Sequence, residues 1–378
     1  MALGSPSDAA LPAPSRQTRW SRQLILSLSR VWAWAFLTLL IIFFSVSVYT
    51  STGGSVNFLT LRNSQNILVA ITPVLLMGLG QTFVIIAGGI DLSVGWVMGL
   101  ASCVSAMVLR DLFNGGMELA PAVLLGFIAG VVAAMLVGLV NGWIIARLKV
   151  PPFIVTLGAS FVARGIALLL SNGQTVSGLP PGIRDFGNES LLYYVGATGT
   201  WSLLTRPELD RDVLRSLDRV LPWPVVVTIV VVAIFMFVLH KTQFGRHTYA
   251  IGGNKEAASR AGVPVERHTI MLYVLSAMTT GIAGVLHTAR FTAGSPIAGD
   301  PLLLGSIAAV VIGGVSLFGG FGRVSGTVIG ALIIAVLQTG LVMLNVEPFW
   351  QFIVVGTVVI LAVLIDQSRD LIVGRAEG

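Results

Sequence analysis

Cysteine is nearly absent from this sequence and charge is scarce. One thiol, Cys103, occurs in 378 residues, so no disulfide can close within the chain and no cysteine-based metal cluster can form. The four histidines, His240, His247, His268 and His287, lack the spacing of a metal-ligand motif. No Walker-type phosphate loop, Ser-His-Asp order or paired-carboxylate motif is apparent, so any energy source must lie elsewhere. Charged residues make up 11% of the chain, about half the share usual in a soluble domain. The net charge of +6 comes from Arg and Lys in short connecting segments, with no basic stripe interleaved with aromatics. That pattern suits lipid headgroups and gives nucleic-acid binding little support.

What fills the sequence instead is apolar surface, 55% of residues, gathered into long uncharged runs. A run of about 18 residues is enough for a helix to cross the hydrocarbon core. The expected fold is an all-α integral membrane protein of about ten transmembrane helices, at 31–48, 67–87, 92–109, 119–146, 153–170, 222–239, 268–288, 302–319, 324–344 and 349–365. The first run, Val31 to Val48, is too long for a typical signal-peptide core and is read as a retained span. Residues 1–30, rich in Pro, Ser and Arg, read as a cytoplasmic tail. Residues 31–366 form the transmembrane domain, with an external loop at 171–221 and a cytoplasmic loop at 241–267, and 367–378 form a second cytoplasmic tail. The excess of Lys and Arg on the inner segments places both termini in the cytoplasm. The glycine-rich stretches after Ala87 and Gly319 are alternatively breaks inside the membrane, which would change the number of helices.

Leu79 to Gly95, LGQTFVIIAGGIDLSVG, aligns without gaps on Leu304 to Gly320, LGSIAAVVIGGVSLFGG, pairing Gly88 and Gly89 with Gly313 and Gly314. Internal repeats of this kind are common in transporters, whose sites lie where the helices break. Asp91 is the most informative single residue, because a carboxylate at membrane depth is costly and is paired or functional. With Gly88 and Gly89 before it and Ser93 after it, it either caps the next helix or meets a solute, and capping is the stronger reading. Gln81 and Gln338 are polar groups in apolar spans, suited to helix contacts or to solute hydroxyls. Arg164 either snorkels, pairs with Asp91 or faces a hydrated cavity. Gly126, Gly130, Ala134, Gly138 and Gly142 line one face of the fourth span and form a packing seam, more readily within one subunit than between two.

Within 241–267, Asn254 is placed to cap a short helix, Glu256 suits its first turn, and Gly262 with Pro264 stops it. Such a helix is a handle for a partner or simply a solvated loop. In the external loop, Leu209, Val213, Leu217 and Val220 fall near one helical face, which predicts an amphipathic helix lying on the membrane or over the outer mouth.

The chain from about residue 60 to 366 resembles the ribose-type permeases of bacterial ATP-binding-cassette importers, most recognisably in four ordered segments: GGIDLSVG (Gly88–Gly95), NGWIIARLKVPPFIVTLG (Asn141–Gly158), GRHTYAIGGNKEAASRAGV (Gly245–Val263) and AAVVIGGVSLFGGFGRVSGTVIGALI (Ala308–Ile333). The resemblance implies a permease subunit in the bacterial inner membrane, moving a monosaccharide or related polyol by alternating access. It also implies a second permease copy or sister permease, a cytoplasmic ATPase subunit that holds the ATP and magnesium, and an extracytoplasmic solute-binding protein. This chain would itself carry no cofactor and no catalytic or metal site. Gln81, Gly88, Gly89, Asp91, Ser93 and Gln338 become the expected pathway, and Asn254, Lys255, Glu256, Ala257, Ala258, Arg260 and Gly262 the expected ATPase coupling segment. Leu303, Leu304 and Gly305 stand where members often carry acidic residues. An ion-coupled secondary transporter of a small polar solute is the competing class, and it would favour a series of intramembrane carboxylates where this chain has only Asp91.

Overall fold

The computed structural model describes residues 16–210 and 213–374. Its helices are α1 (Arg16–Ser51), α2 (Leu61–Ile86), α3 (Val94–Asn114), α4 (Leu119–Arg147), α5 (Pro152–Ser171), α6 (Ile183–Asn188), α7 (Trp223–Lys241), α8 (Gln243–Gly253), α9 (Lys255–Arg260), α10 (Val265–Phe291), α11 (Leu303–Ile312), α12 (Val324–Met343) and α13 (Pro348–Gly374). Among the described residues eight of these, α1 to α5, α7, α10 and α12, are long and apolar enough to cross a membrane.

Burial follows composition. The inner half of α2, Val74 to Ile86, is buried at every position, as expected of a helix that is apolar all round. It packs against α10, α12, α11 and α7 and occupies the centre of the bundle. The start of α2 is fixed by Thr60, whose hydroxyl accepts the Asn63 N–H at 3.1 Å. The glycine face of α4 lies within the subunit. A Cβ at Gly138 would come 2.4 Å from the Tyr273 carbonyl oxygen, and one at Gly142 would come 2.7 Å from the Ile270 Cα, both on α10. Only glycine allows the two backbones this close.

Four sequence expectations need correction. First, residues 16–30, assigned to a tail, are the opening turns of α1, while residues 1–15 lie outside the described residues. The second tail is likewise helical as far as Gly374. Second, 302–319 is not one span. Gly294, Pro296 and Gly299 lie against Ser102, Gly99 and Gly95 of α3 in a segment of tight turns that ends in the 3-10 turn Asp300–Leu302, and the 10-residue α11 follows. Ten residues give about 15 Å of helix, half a hydrocarbon core.

Third, the amphipathic helix in the external loop is absent. Leu214–Ser216 is a single 3-10 turn and residues 217–222 form a strand, with residues 211–212 outside the described residues. The chain is therefore not purely helical. Strands β1 (Ser190–Val195), β2 (Thr200–Leu203) and β3 (Leu217–Pro222) make an antiparallel sheet in the order β2-β1-β3. Fourth, the 241–267 loop holds two helices where one was expected: α8 joins the expected α9.

Candidate solute pathway and coupling face

Both glycine-rich stretches break the helical run. The chain leaves α2 at Ile86 with Gly88 at φ +80°, and the N–H groups of Gly88 and Gly89 return to the carbonyls of Ile85 and Val84, each at 2.9 Å. It leaves α11 in the same geometry: Gly314 stands at φ +80°, and the N–H groups of Gly314 and Val315 return to Val311 at 2.8 Å and Val310 at 3.2 Å. This is the glycine-ended helix cap, with a left-handed residue that a Cβ would strain. The caps match at Gly88 and Gly314, one residue out of step with the gapless alignment. Farther on the alignment holds: Asp91 Oδ1 accepts the Ser93 N–H at 3.0 Å, as its partner Ser316 Oγ accepts the Phe318 N–H at 3.3 Å.

Asp91 is buried, 1% exposed, at the first break. Its Oδ1 accepts from the Ser93 N–H and from the Ser93 hydroxyl at 2.6 Å, and its Oδ2 accepts from the Ser276 hydroxyl of α10 at 2.8 Å. Hydrogen-bond donors replace water around the carboxylate, which is how a buried polar group is tolerated. The carboxylate thus pins the broken segment to α10, a structural hold rather than a free contact. Ser93 extends the network by accepting from Asn141 Nδ2 at 3.1 Å. Gln81 Nε2 donates to the Asp91 carbonyl at 3.4 Å and to Ser306 Oγ on α11 at 3.3 Å, joining the first break to the helix before the second.

The expected residues therefore divide. Gln81, Asp91 and Ser93 meet at one buried junction, with Gly89 half-buried and Gly88 exposed beside it, whereas Gln338 sits half-buried on α12 with no hydrogen-bond partner among the described residues. Arg164 does not pair with Asp91. Its guanidinium lies 4.7 Å from the centroid of the Trp96 ring, exposed on α5, a cation–π contact that shelters the charge from a distance. Asn141, Tyr273 and Ser276 escaped the sequence reading. Asn141 was within sight, as the first residue of the NGWIIARLK segment, but hydroxyls such as Ser276 leave no mark in an apolar helix.

The polar segment after α7 packs partly by close backbone approach and partly through Phe244, Thr248, Tyr249 and Ile251. Gly252 of α8 lies so close to the end of α2 that a Cβ there would be 1.7 Å from the Ile86 oxygen and 2.5 Å from the Gly320 nitrogen. That same Ile86 oxygen, left over at the helix end, accepts the Gly320 N–H at 2.8 Å. The Tyr249 hydroxyl donates to the Gly322 carbonyl at 2.6 Å. Burial raises its pKa, opposed in part by Arg323, which keeps the donor protonated. One short helix thus touches the end of α2 and the loop after α11 together.

On α9, Asn254 Oδ1 accepts the Ala257 N–H at 2.9 Å, Gly262 stands at φ +83°, and the Val263 N–H closes on Ala258 at 3.1 Å. Lys255, Glu256, Ala257 and Arg260 are exposed, but Ala258 is 5% exposed and faces into the chain. Ala258 is therefore withdrawn from the surface available to a partner. Between α4 and α5 lies an open groove of about 470 Å³, lined by Asn141 and by apolar groups of which Leu136, Val140, Ile154 and Val162 are exposed on the outside of the bundle.

Broken helices around a buried polar junction, inside a bundle of apolar spans, are a feature common among membrane transporters. Residues 63–363 match the family model described as the branched-chain amino acid transport system permease component. The xylose transport system permease protein of Haemophilus influenzae is 38% identical over 361 residues, covering 86% of this chain and 93% of that protein. The ribose import permease protein of Bacillus subtilis is 37% identical over 337 residues, covering 89% and 92%. The L-arabinose ABC transporter permease protein of Azospirillum brasilense is 34% identical over 365 residues, covering 97% and 94%. No solved structure matches the chain. The chain belongs to the ribose-type permease family of bacterial ABC importers and is a multi-pass protein of the inner membrane.

Proposed function

We propose that this chain is the membrane-spanning subunit of an ATP-driven importer for a monosaccharide or related polyol, working by alternating access. The single observation that carries the reading is the seating of α8 on Ile86 and Gly320, because it gives a surface-mounted helix pair direct purchase on both helix breaks. The relatives' names supply the solute class: xylose, ribose and L-arabinose. Ten crossings follow if the turns of 292–302 and α11 together make the eighth, which leaves both termini, α8 and α9 on the cytoplasmic side and the sheet outside. The exposed face of α9, with Lys255, Glu256, Ala257 and Arg260, meets a separate ATPase that binds ATP and magnesium. The solute arrives from an external binding protein, and a second copy or sister permease completes the pathway. The buried junction around Gln81 and Asp91 is the part that must rearrange as access alternates.

The test is co-purification with the ATPase, comparing the native chain with Glu256→Arg plus Ala257→Arg, followed by uptake in proteoliposomes. The native chain binds the ATPase and accumulates sugar only with ATP, while the double variant inserts and folds but loses the ATPase. Uptake driven by a proton or sodium gradient without any ATPase would overturn the proposal in favour of ion coupling.

A further inference from the structure

Two charged side chains, Arg164 and Asp300, stand on the outside of the bundle at membrane depth. Arg164 is the thirteenth of the 20 residues of α5, about 18 Å from the start of the helix and about 10 Å from its end. Its charge does not reach for the nearer end, because side chains lean toward the N-terminus of their helix and the guanidinium lies 4.7 Å from the centroid of the Trp96 ring. Trp96 is the third residue of α3, about 27 Å short of that helix's far end at Asn114. In the other direction, Ser93 is bonded to Asn141, itself about 9 Å inside the end of α4 at Arg147. Asp300 lies at the same level, its Cα 3.6 Å from where a Cβ on Gly95 would stand. Both residues are exposed, and among the described residues neither side chain has an ion pair or a hydrogen bond.

The two charges flank one face of α3. On one side Ala163 of α5 clusters with Trp96 and Leu100; on the other, Pro296 and Gly299 press on Gly99 and Gly95. Successive residues turn about 100° round a helix, so Trp96 stands between the packed sides, with Arg164 over its ring and Asp300 beside it. Ionisable groups inside membrane spans face a bundle interior or a water-filled cavity, since lipid solvates neither charge. Here both face outward, so the wall that completes the cavity comes from another chain. One cation and one anion select a neutral solute rich in hydroxyls: the guanidinium donates, the carboxylate accepts, and hydroxyls that meet neither keep the water of the cavity. An anion would be repelled by Asp300 and a cation by Arg164.

We infer that the face made by α5, the first turn of α3 and residues 297–302 lines a hydrated import route opposite the second permease, with Arg164 and Asp300 as solute-contacting residues. This inference rests on the importer reading above and adds to it the face that the solute passes and two named contacts.

The experiment uses the full transporter in proteoliposomes, with its ATPase and binding protein, on a Cys103→Ser background that leaves this chain without a thiol. A charged, membrane-impermeant methanethiosulfonate is applied to Arg164→Cys, to Asp300→Cys and to Leu157→Cys, which keeps both charges and lies about two turns from Arg164 on the same face of α5. Ile234→Cys, 52% exposed at a similar depth on α7, is the control. The first three react and the control does not, and D-xylose, D-ribose or L-arabinose, supplied with binding protein and ATP, slows the reaction at 164 and 300. In uptake, Arg164→Gln and Asp300→Asn each lose about tenfold, as for one hydrogen bond to a charged group, while Arg164→Lys, which still donates, loses less. All three melt as the native protein does, whereas a merely structural role would lower the thermal midpoint together with uptake. Thiols as inert as the control, which a lipid-facing surface or a dry contact between permeases would give, overturn the inference, as does labelling that no sugar slows; the importer reading survives either result as long as the Cys103→Ser chain accumulates sugar with ATP. Failure of the native transporter to move any of the three sugars overturns the monosaccharide reading, and the inference with it.

Discussion

Replacing Gly252 by alanine puts a methyl group where two other stretches of backbone already are. The added carbon would sit 1.7 Å from the Ile86 carbonyl oxygen and 2.5 Å from the Gly320 nitrogen. A comfortable carbon–oxygen contact is about 3.3 Å, so α8 must retreat from the end of α2 by roughly 1.6 Å. No side chain can swing aside to relieve this, because every clashing atom belongs to the main chain. Overpacking of this kind costs about 1–3 kcal/mol, and that cost falls on the contact between α8 and the two breaks. A coupling free energy of that size corresponds to a change of about 5- to 150-fold. The assay is sugar moved per ATP hydrolysed in proteoliposomes carrying the complete transporter. Gly252→Ala is expected to keep hydrolysing ATP while transporting at least fivefold less sugar per turnover. Gly253→Ala is the control, since a Cβ at that neighbouring residue meets nothing within 4 Å, and its ratio stays native. Equal behaviour of the two variants, or a native ratio in Gly252→Ala, would refute the idea that α8 acts through this contact.

Three further outcomes follow from the same geometry. Asp91→Ala leaves the donors of Ser93 and Ser276 without their acceptor, which at about 1–3 kcal/mol per buried unpaired group lowers the thermal midpoint of the detergent-solubilised protein by several degrees; Asp91→Asn, retaining one acceptor oxygen, loses less. Gly138→Ala drives a methyl to 2.4 Å from the Tyr273 oxygen and destabilises the α4–α10 seam by about 1–3 kcal/mol, whereas Gly165→Ala on α5, with open space around it, is neutral or mildly stabilising in the same melt. Tyr249→Phe removes the hydroxyl bond to Gly322 and costs about 1 kcal/mol of α8 docking, read as faster hydrogen exchange in 243–253. Because burial raises the Tyr249 pKa above its ordinary value near 10, the native bond contributes fully below that value and is lost only as pH rises through the folded pKa; exchange in α8 is therefore flat between pH 6 and 9 apart from its intrinsic rate.

What could be read from the sequence was what local chemistry decides. The Asp91 turn was legible only in part: paired glycines, a carboxylate and Ser93 offered a helix cap or a solute contact, and the structure instead bonds the carboxylate to Ser93, itself the first residue before α3, with no side-chain cap on the helix; the bond to Ser276 was not legible, because 185 residues separate the two. The cap at Asn254 and the stop at Gly262 were legible for the same local reason, while α8 is held by glycine packing on α2 that no periodicity announces. The external loop misled for the opposite reason. Leu209, Val213, Leu217 and Val220 are spaced well enough for a helix, but residues 217–222 pair with Ser190–Val195, and that tertiary partner decides the outcome. The stretch 302–319 misled because hydropathy measures apolar length and cannot see where a helix stops; Gly314 at φ +80° marks that stop.

The two breaks are tied by more than likeness. The Gly320 N–H on Ile86 O joins them end to end, and Gln81 on Ser306 joins the helices that lead into them. The carbonyl that Gly252 presses on is the one that Gly320 holds, so α8 meets both breaks at one point. From Ile86 the chain runs five residues to Asp91, whose carboxylate is bonded to both Ser276 and Ser93, and Ser93 in turn holds Asn141 at the edge of the α4–α5 groove.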